Sequence, residues 1–343
     1  MNNIFPCNPN QAKKNIIRCL KANLVPFIQS SPGIGKSSIV KQIANEYDLK
    51  LIDHRLSTSA PEDLLGLPHF EEGKAVFSPF RDVFPFEDTP IPKGKHGWLL
   101  FFDEFNSASR AVQAACYKIV LDRQVGQFNL NKNCFIVCAG NKLDDNAITV
   151  NLSTAMQSRL VHIIMEPDFQ QWLENVAFKE NYDDRVTGYL NMHPEKLMQF
   201  DPENCEHTFP CPRTWEFVNR LIKNEQMDRS WLEILSGTIT APIASDFLTY
   251  CEYQKDMLTI QDILRSPEHV TMPDKNEVKW STIFMVLSHV DGNNFNELAK
   301  FIARFPVDYK IIFYRAIKSK KPELIGHEAF LNAMVELANY FED

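Results

Sequence analysis

Residues Gln29 to Val40 read QSSPGIGKSSIV, a lysine and two serines directly behind a pair of glycines. The run nearly matches the phosphate-binding pattern G-x-x-x-x-G-K-[ST]. In that pattern successive backbone N–H groups and a helix N-terminus converge on phosphate oxygens. Gly33 and Gly35 allow the backbone to approach closely, and Ser31, Pro32, Ile34 and Ser38 complete the cradle. Lys36 would reach the β- and γ-phosphates and Ser37 would ligate Mg2+. One position departs: Ser30 stands where the pattern has its first glycine. A side chain there costs roughly 1–2 kcal/mol only if the backbone needs a positive φ. At a strand end with negative φ it costs little, so a working loop with a serine variant is expected.

A second group of polar residues suits the same chemistry. LLFFDE is four apolar residues followed by Asp103 and Glu104. An aspartate at a strand end holds the metal in phosphate-transferring sites, and an adjacent glutamate is placed to polarise the attacking water. Any strand may end in carboxylates. Downstream of a phosphate loop, after one intervening strand pattern, the pair gains specific meaning. CFIVCAGN then ends in Asn141, which could orient the same water or simply serve as a turn residue.

These side chains need a scaffold, and the pattern around them supplies one. NLVPFIQ is a short apolar strand ending at the loop. KSSIVKQIANEY places Ile39, Val40, Ile43, Ala44 and Tyr47 on one helical face. LKLIDHRL, WLLFFDEF, CFIVCAGN and LVHIIME read as further strands. SRAVQAACYKIV sets Val112, Ala115, Cys116, Ile119 and Val120 on one face, with Ser109 as the N-cap. Alternating strands and helices with continuous apolar strands predict an α/β fold, a parallel sheet covered on both sides in a three-layer αβα sandwich. Two stretches read as hairpins: Pro68–Phe77, turning at Glu71–Lys74, and Arg123–Val137, with its tip at Asn131–Asn133. After Glu166 the pattern turns helical. DFQQWLENVAF, RVTGYLNM, PRTWEFVNRLI and SWLEILSGTI fit helical spacing, and RSPEHVTMPDKNE reads as a linker. Stripes at Trp280, Ile283, Phe284 and Leu287, and at Phe330, Met334, Leu337 and Phe341, read as packing faces.

Bulk composition limits the alternatives. The 343 residues suffice for two or three packed units. With 36 Lys and Arg against 44 Asp and Glu, the formal net charge is −8, which argues against nucleic-acid binding over a broad basic face. No run of apolar residues suggests a membrane span, and the first residues do not read as a signal peptide. A cytoplasmic setting is expected. Cys134 and Cys138 lie four apart in a strand, on one face, and read as buried thiols. CEHTFPC does not have the ligand spacing of a usual zinc site.

Together the motifs resemble those of AAA+ ATPases, specifically the MoxR-like branch of the helix-2-insert clade. The matching stretches are SSPGIGKS, RLSTSAPEDLLGLP, LLFFDEFNSAS, VLDRQVG, FIVCAGN, LSTAMQSRLVHI and PRTWEFV, in the family's order over about residues 24–220. The resemblance implies that ATP and Mg2+ bind at Ser31–Ser38 and Asp103, that Glu104 is the catalytic base and that Asn141 is the sensor 1 residue. Arg159 in QSRL matches the arginine finger, which in this family comes from a neighbouring subunit. The implied assembly is a homo-oligomeric ring, a hexamer. Arg213 in CPRTW matches sensor 2. The two hairpins match family inserts that face a pore or a partner, with Phe70, Phe77 and Phe80 as contact residues. The implied domains are a P-loop nucleotide-binding domain over 1–166, a helical lid over 167–265 and a helical C-terminal extension over 266–343. The implied work is remodelling of a protein substrate, with a separate partner carrying a von Willebrand factor A domain. Three rivals stand beside it: a nucleic-acid motor of the same superfamily, a GTPase of the restriction-motor type, and a scaffold that binds nucleotide without hydrolysing it.

Overall fold

A computed structural model describes residues 4–142, 145, 151–203, 207–253 and 258–340. The chain forms two compact units, Met1–Pro167 with Asp201–Asn204, and Asp168–Phe200 with Cys205–Asp343.

The first unit is a five-stranded sheet in the order β2-β5-β8-β1-β9, every neighbouring pair parallel. Its strands are β1 (Val25–Gln29), β2 (Leu49–Arg55), β5 (Gly97–Asp103), β8 (Cys134–Gly140) and β9 (Leu160–Ile164). Side chains on a strand alternate between faces, and β5 shows the consequence. Leu100 and Phe102 enter a core under helix α4 (Arg110–Asp122), while Leu99 and Phe101 enter a second core under α1 (Pro9–Lys21) and α2 (Lys36–Glu46). All seven β5 residues are buried, as expected for a central strand covered on both faces. The apolar faces read from sequence in α2 and α4 are buried, except that Tyr47 is exposed. Ser109 caps α4 by accepting from the Val112 N–H. Cys134 and Cys138 share the core under α4. This is the three-layer αβα sandwich that the sequence predicts.

Strands β3 (Leu67–Glu71) and β4 (Lys74–Ser78) form the first hairpin, paired with Pro68 opposite Phe77. Glu72 and Gly73 turn it with φ of 48° and 75°, the positive values a two-residue hairpin loop needs. The second hairpin differs from expectation. Its strands are β6 (Gln124–Val125) and β7 (Phe128–Asn129), so it turns at Gly126, φ 61°, and not at Asn131–Asn133. Asn131 is instead buried. Its amide donates to the Phe86 and Thr89 carbonyls, and its oxygen accepts from the Asn133 N–H. The polar tripeptide has the composition of an exposed turn, but its asparagine satisfies backbone groups beside the central sheet. The first unit also contains two short helices, α3 (Pro61–Leu65) and α5 (Thr154–Gln157).

The second unit is helical: α6 (Phe169–Trp172), continued by a π-turn to Ala177, α7 (Asp184–Met192), α8 (Pro212–Ile222), α9 (Leu232–Ile239), α10 (Ala241–Tyr253), α11 (Ile260–Arg265), α12 (Asn276–His289), α13 (Phe295–Ala303), α14 (Val307–Lys320) and α15 (Glu328–Glu336). One apolar core, running from Trp172 to Leu337, joins them. Ile283, Phe284 and Leu287 of the predicted stripe in α12 are buried in it, as are Phe330 and Leu337. Phe341 of the second stripe, and Cys205 of CEHTFPC, lie outside the described residues.

Candidate nucleotide site

Strand register brings the first group of polar residues together. Gln29 lies opposite Gly140 and Arg55 opposite Asp103, so β1, β2, β5 and β8 end at one edge of the sheet. The loop from Ser30 to Gly35 leaves β1 at that edge and enters α2. Gly33 and Gly35 take φ of 81° and 104°, conformations that a Cβ would strain. Gly35 is also the N-cap of α2, and no side chain caps the helix there. The first-turn N–H groups are thus left without a side-chain acceptor, the arrangement that favours an anion.

Lys36 reaches back over the loop. Its Nζ donates to the Ser30 carbonyl at 2.9 Å, the Ser30 Oγ at 3.1 Å and the Asn141 Oδ1 at 3.2 Å. Ser37 Oγ donates to Asp103 Oδ2 at 3.0 Å, so the two oxygens proposed for the metal already adjoin. Asp103 Oδ1 accepts the Glu104 N–H at 2.8 Å. That bond accompanies a left-handed Glu104 backbone, φ 55°, which turns the chain sharply at the strand end. The Glu104 carboxylate accepts from the Ser57 hydroxyl and lies 3.7 Å from the Arg55 guanidinium, both just past or at the end of β2.

Several participants escaped the sequence reading. Asn106, buried, clamps the backbone of Asn141: its Nδ2 donates to the Asn141 carbonyl at 2.7 Å and its Oδ1 accepts the Asn141 N–H at 3.1 Å. Ser31 Oγ donates to Asp145 Oδ1 at 3.1 Å, and burial raises the Asp145 pKa above the usual carboxylate value. Asp53 on β2 is raised by burial and then by the nearby Asp103 charge. Ser57 and Asn106 both lie inside stretches that carried the resemblance, but nothing in their spacing marks them. Only the register of β2, β5 and β8 brings them to the site.

Of the two arginines, Arg159 stands elsewhere in the first unit and Arg213 belongs to the second. Arg159 follows α5 and precedes β9, exposed, with Nη1 donating to the Ala155 carbonyl at 2.8 Å. Leu160 pairs with Val25, the first residue of β1, whereas the loop follows Gln29, the last. At about 3.3 Å per residue, roughly 16 Å of strand separates Arg159 from the loop of its own chain. Arg213 is the second residue of α8, exposed, in the second unit.

The residues present suit a nucleotide with magnesium. Ser37 and Asp103 offer hard oxygen donors. Magnesium takes one or two such protein ligands and leaves its other positions to phosphates and water. Among the described residues there is no cluster of three or more His, Cys, Asp or Glu side chains arranged to hold a metal without such help.

No protein-family model matches the chain, and no curated protein matches it. Solved structures similar to it include the RuvB Holliday junction branch migration motor of Thermotoga maritima, at 17% identity over 76% of each chain with a TM-score of 0.35. A putative ATPase from Cytophaga hutchinsonii is similar at 13% identity over 96% of this chain and 79% of that one, TM-score 0.33. NtrX from Brucella abortus, solved in complex with ADP, is similar at 14% identity over 96% of this chain and 67% of that one, TM-score 0.37.

Proposed function

We propose that the chain is a MoxR-like AAA+ ATPase that hydrolyses ATP at the subunit interfaces of a homo-oligomeric ring and uses the resulting motion to remodel, or help assemble, a protein partner. The observation that carries this reading is the convergence of Lys36, Ser37, Asp103, Glu104 and Asn141 at one edge of the parallel sheet, around an uncapped helix start. Ser31–Ser38 cradle the phosphates through backbone N–H groups. Lys36 exchanges its carbonyl and Asn141 partners for phosphate oxygens. Ser37 and Asp103 would hold Mg2+, which when bound would offset the negative charge that develops on the phosphates.

Glu104 takes a proton from the attacking water once its carboxylate leaves Ser57 and Arg55. Asn141, its backbone fixed by Asn106, orients that water. Arg159 serves the neighbouring subunit's nucleotide, since it stands at the far end of β9 from its own loop. Arg213, in the first turn of α8, couples phosphate state to a lid over 167–265, with 266–343 as the helical extension. The ring is a hexamer in the cytoplasm. It acts on a protein substrate together with a separate partner carrying a von Willebrand factor A domain. Two observations accord with that setting: among the described residues no helix is long and apolar enough to cross a membrane, and all seven described cysteines are free thiols.

Phosphate release measured with ATP and with GTP tests the reading. The parent is expected to turn over ATP in preference. Glu104→Gln should lose on the order of 10²-fold or more in turnover while still assembling with ATP. A Glu104→Gln ring as active as the parent would sink the catalytic assignment. Proteins retained by that ATP-locked ring identify the partner, and retention of nucleic acid alone would overturn the remodelling role.

A further inference from the structure

A cavity of about 780 Å³ lies within the second unit. It opens where the start of α7 meets the ends of α8, α12 and α14. Lys223 closes α8, Lys320 ends α14 and Lys321 follows it. All three lysines line the cavity, together with Asp183 and Asp184. Asp183 is committed to Arg185, with contacts of 2.8 and 2.7 Å. Among the residues that line the cavity the three lysines are therefore left with one further carboxylate, that of Asp184, while Glu323 and Asp291 outside the lining also act on Lys321.

Two of the lysines are partly engaged. Lys321 donates to the carbonyls of Ser288 and Val290, and Lys223 to that of Asn181 at 3.1 Å. Each keeps donors to spare, because an ammonium has three. The Lys320 ammonium makes no hydrogen bond among the described residues, only a longer ion pair. Its Nζ lies 3.8 Å from Asp184 Oδ1 and 5.3 Å from the centre of the Phe178 ring, with the side chain only 9% exposed. Burial pushes the Lys320 pKa down, Asp184 and Asp183 pull it back, and Lys321 and Lys223 press it down again. A secluded ammonium without hydrogen bonds is costly. An oxyanion would supply the charge-assisted bonds it lacks. The rest of the wall includes Leu258, Ile260 and Met285, apolar surface that a bare inorganic ion would leave uncovered.

We propose that this cavity binds a small phosphate monoester, its head on Lys223, Lys320 and Lys321 and its organic body on Leu258, Ile260 and Met285. Among the lining residues four cations face two carboxylates, an excess of positive charge that suits the monoester dianion. The volume falls within the roughly 300–1,000 Å³ of small-molecule sites.

Phenyl phosphate is a suitable probe, titrated by calorimetry into the full chain carrying Lys36→Ala, so that the loop after β1 is disabled. Saturable binding is expected, tighter than that of inorganic phosphate and weakened about tenfold by Lys320→Met, the scale of one lost charge-assisted hydrogen bond. Should Lys320→Met fail to fold by circular dichroism, Lys223→Gln at the exposed rim carries the same comparison, with a several-fold loss expected. Binding that the folded variants retain unchanged overturns the proposal, as does no saturation up to roughly 10 mM probe. Inorganic phosphate binding more tightly than phenyl phosphate would overturn the assignment of an organic body.

Discussion

Ser30 is the one letter out of place in the phosphate loop, and its surroundings explain why it is tolerated. It is fully buried and does not take a positive φ, so its Cβ meets none of the strain that makes glycine necessary at Gly33 and Gly35. Its hydroxyl donates to the Ser31 carbonyl at 3.1 Å and accepts from Lys36. Because Lys36 also has the Ser30 carbonyl and Asn141, losing the hydroxyl removes one partner of several. Ser30→Gly should therefore leave ATP affinity nearly unchanged in a binding titration. A large gain would show that the serine is a handicap. His54 makes a prediction of a different kind. Its ring stacks on Phe84 at 5.2 Å, its Nε2 is buried with no hydrogen-bond partner among the described residues, and burial holds its pKa below the usual value. The unfolded chain then binds a proton at about pH 6.5 that the folded chain resists. The His54 contribution to stability is complete above about pH 6.5 and is lost progressively as pH falls toward the depressed folded value. Urea midpoints measured between about pH 5 and 7.5 should fall on acidification, and His54→Leu should flatten that slope. An equally steep slope in the variant would remove His54 as the cause.

At the scale of elements, the site depends on how strand ends are held against each other. β5 and β8 deliver Asp103 and Asn141 to one edge, and Asn106 ties the turn after β5 to the residue after β8. Gly140 makes room for that tie. A Cβ there would lie 2.1 Å from Asn106 Oδ1 and 3.0 Å from the Phe27 ring. Gly140→Ala should thus cost about 1–3 kcal/mol of stability, as overpacking does. It should also lower turnover by displacing Asn141. Denaturation and phosphate release in the same variant check both halves, and an unperturbed protein would show that the tie is dispensable. The strands, α2, α4 and their buried faces were legible in the sequence because period and burial coincide there. The tip of the second hairpin was not. Asn-Lys-Asn has turn composition, while the glycine that makes the turn, Gly126, is a single residue between Val125 and Gln127. Asn106 was equally hidden, because a side chain that satisfies a neighbouring strand's backbone leaves no periodic trace.

At the scale of the molecule, the position of Arg159 carries the prediction. The chain places it before the start of β9, roughly 16 Å of strand from its own phosphate loop, and on the proposed reading its charge serves a nucleotide held by another copy. Arg159→Ala alone should assemble yet lose on the order of 10³-fold in turnover. Mixing Arg159→Ala with Glu104→Gln subunits should restore part of the activity, because some interfaces then pair an intact Glu104 with an intact Arg159. Mixed rings as inactive as either parent would show that the arginine does not act across the interface.

The sequence by itself determined which chemistry was available: a glycine-flanked lysine and serine, a pair of carboxylates behind an apolar strand, and the alternation that makes a parallel sheet. These are local properties, fixed by residue type and by periods of two and 3.6. The tertiary structure decided which of those groups meet. Parallel register set Asp103 beside Ser37 and Asn141 beside Lys36, brought Ser57 and Arg55 to the Glu104 carboxylate, and sent Arg159 to the opposite end of the sheet. It also gathered Lys223 into one cavity with Lys320 and Lys321, nearly a hundred residues further along the chain. Such meetings depend on pairing between distant segments, which no window of sequence contains.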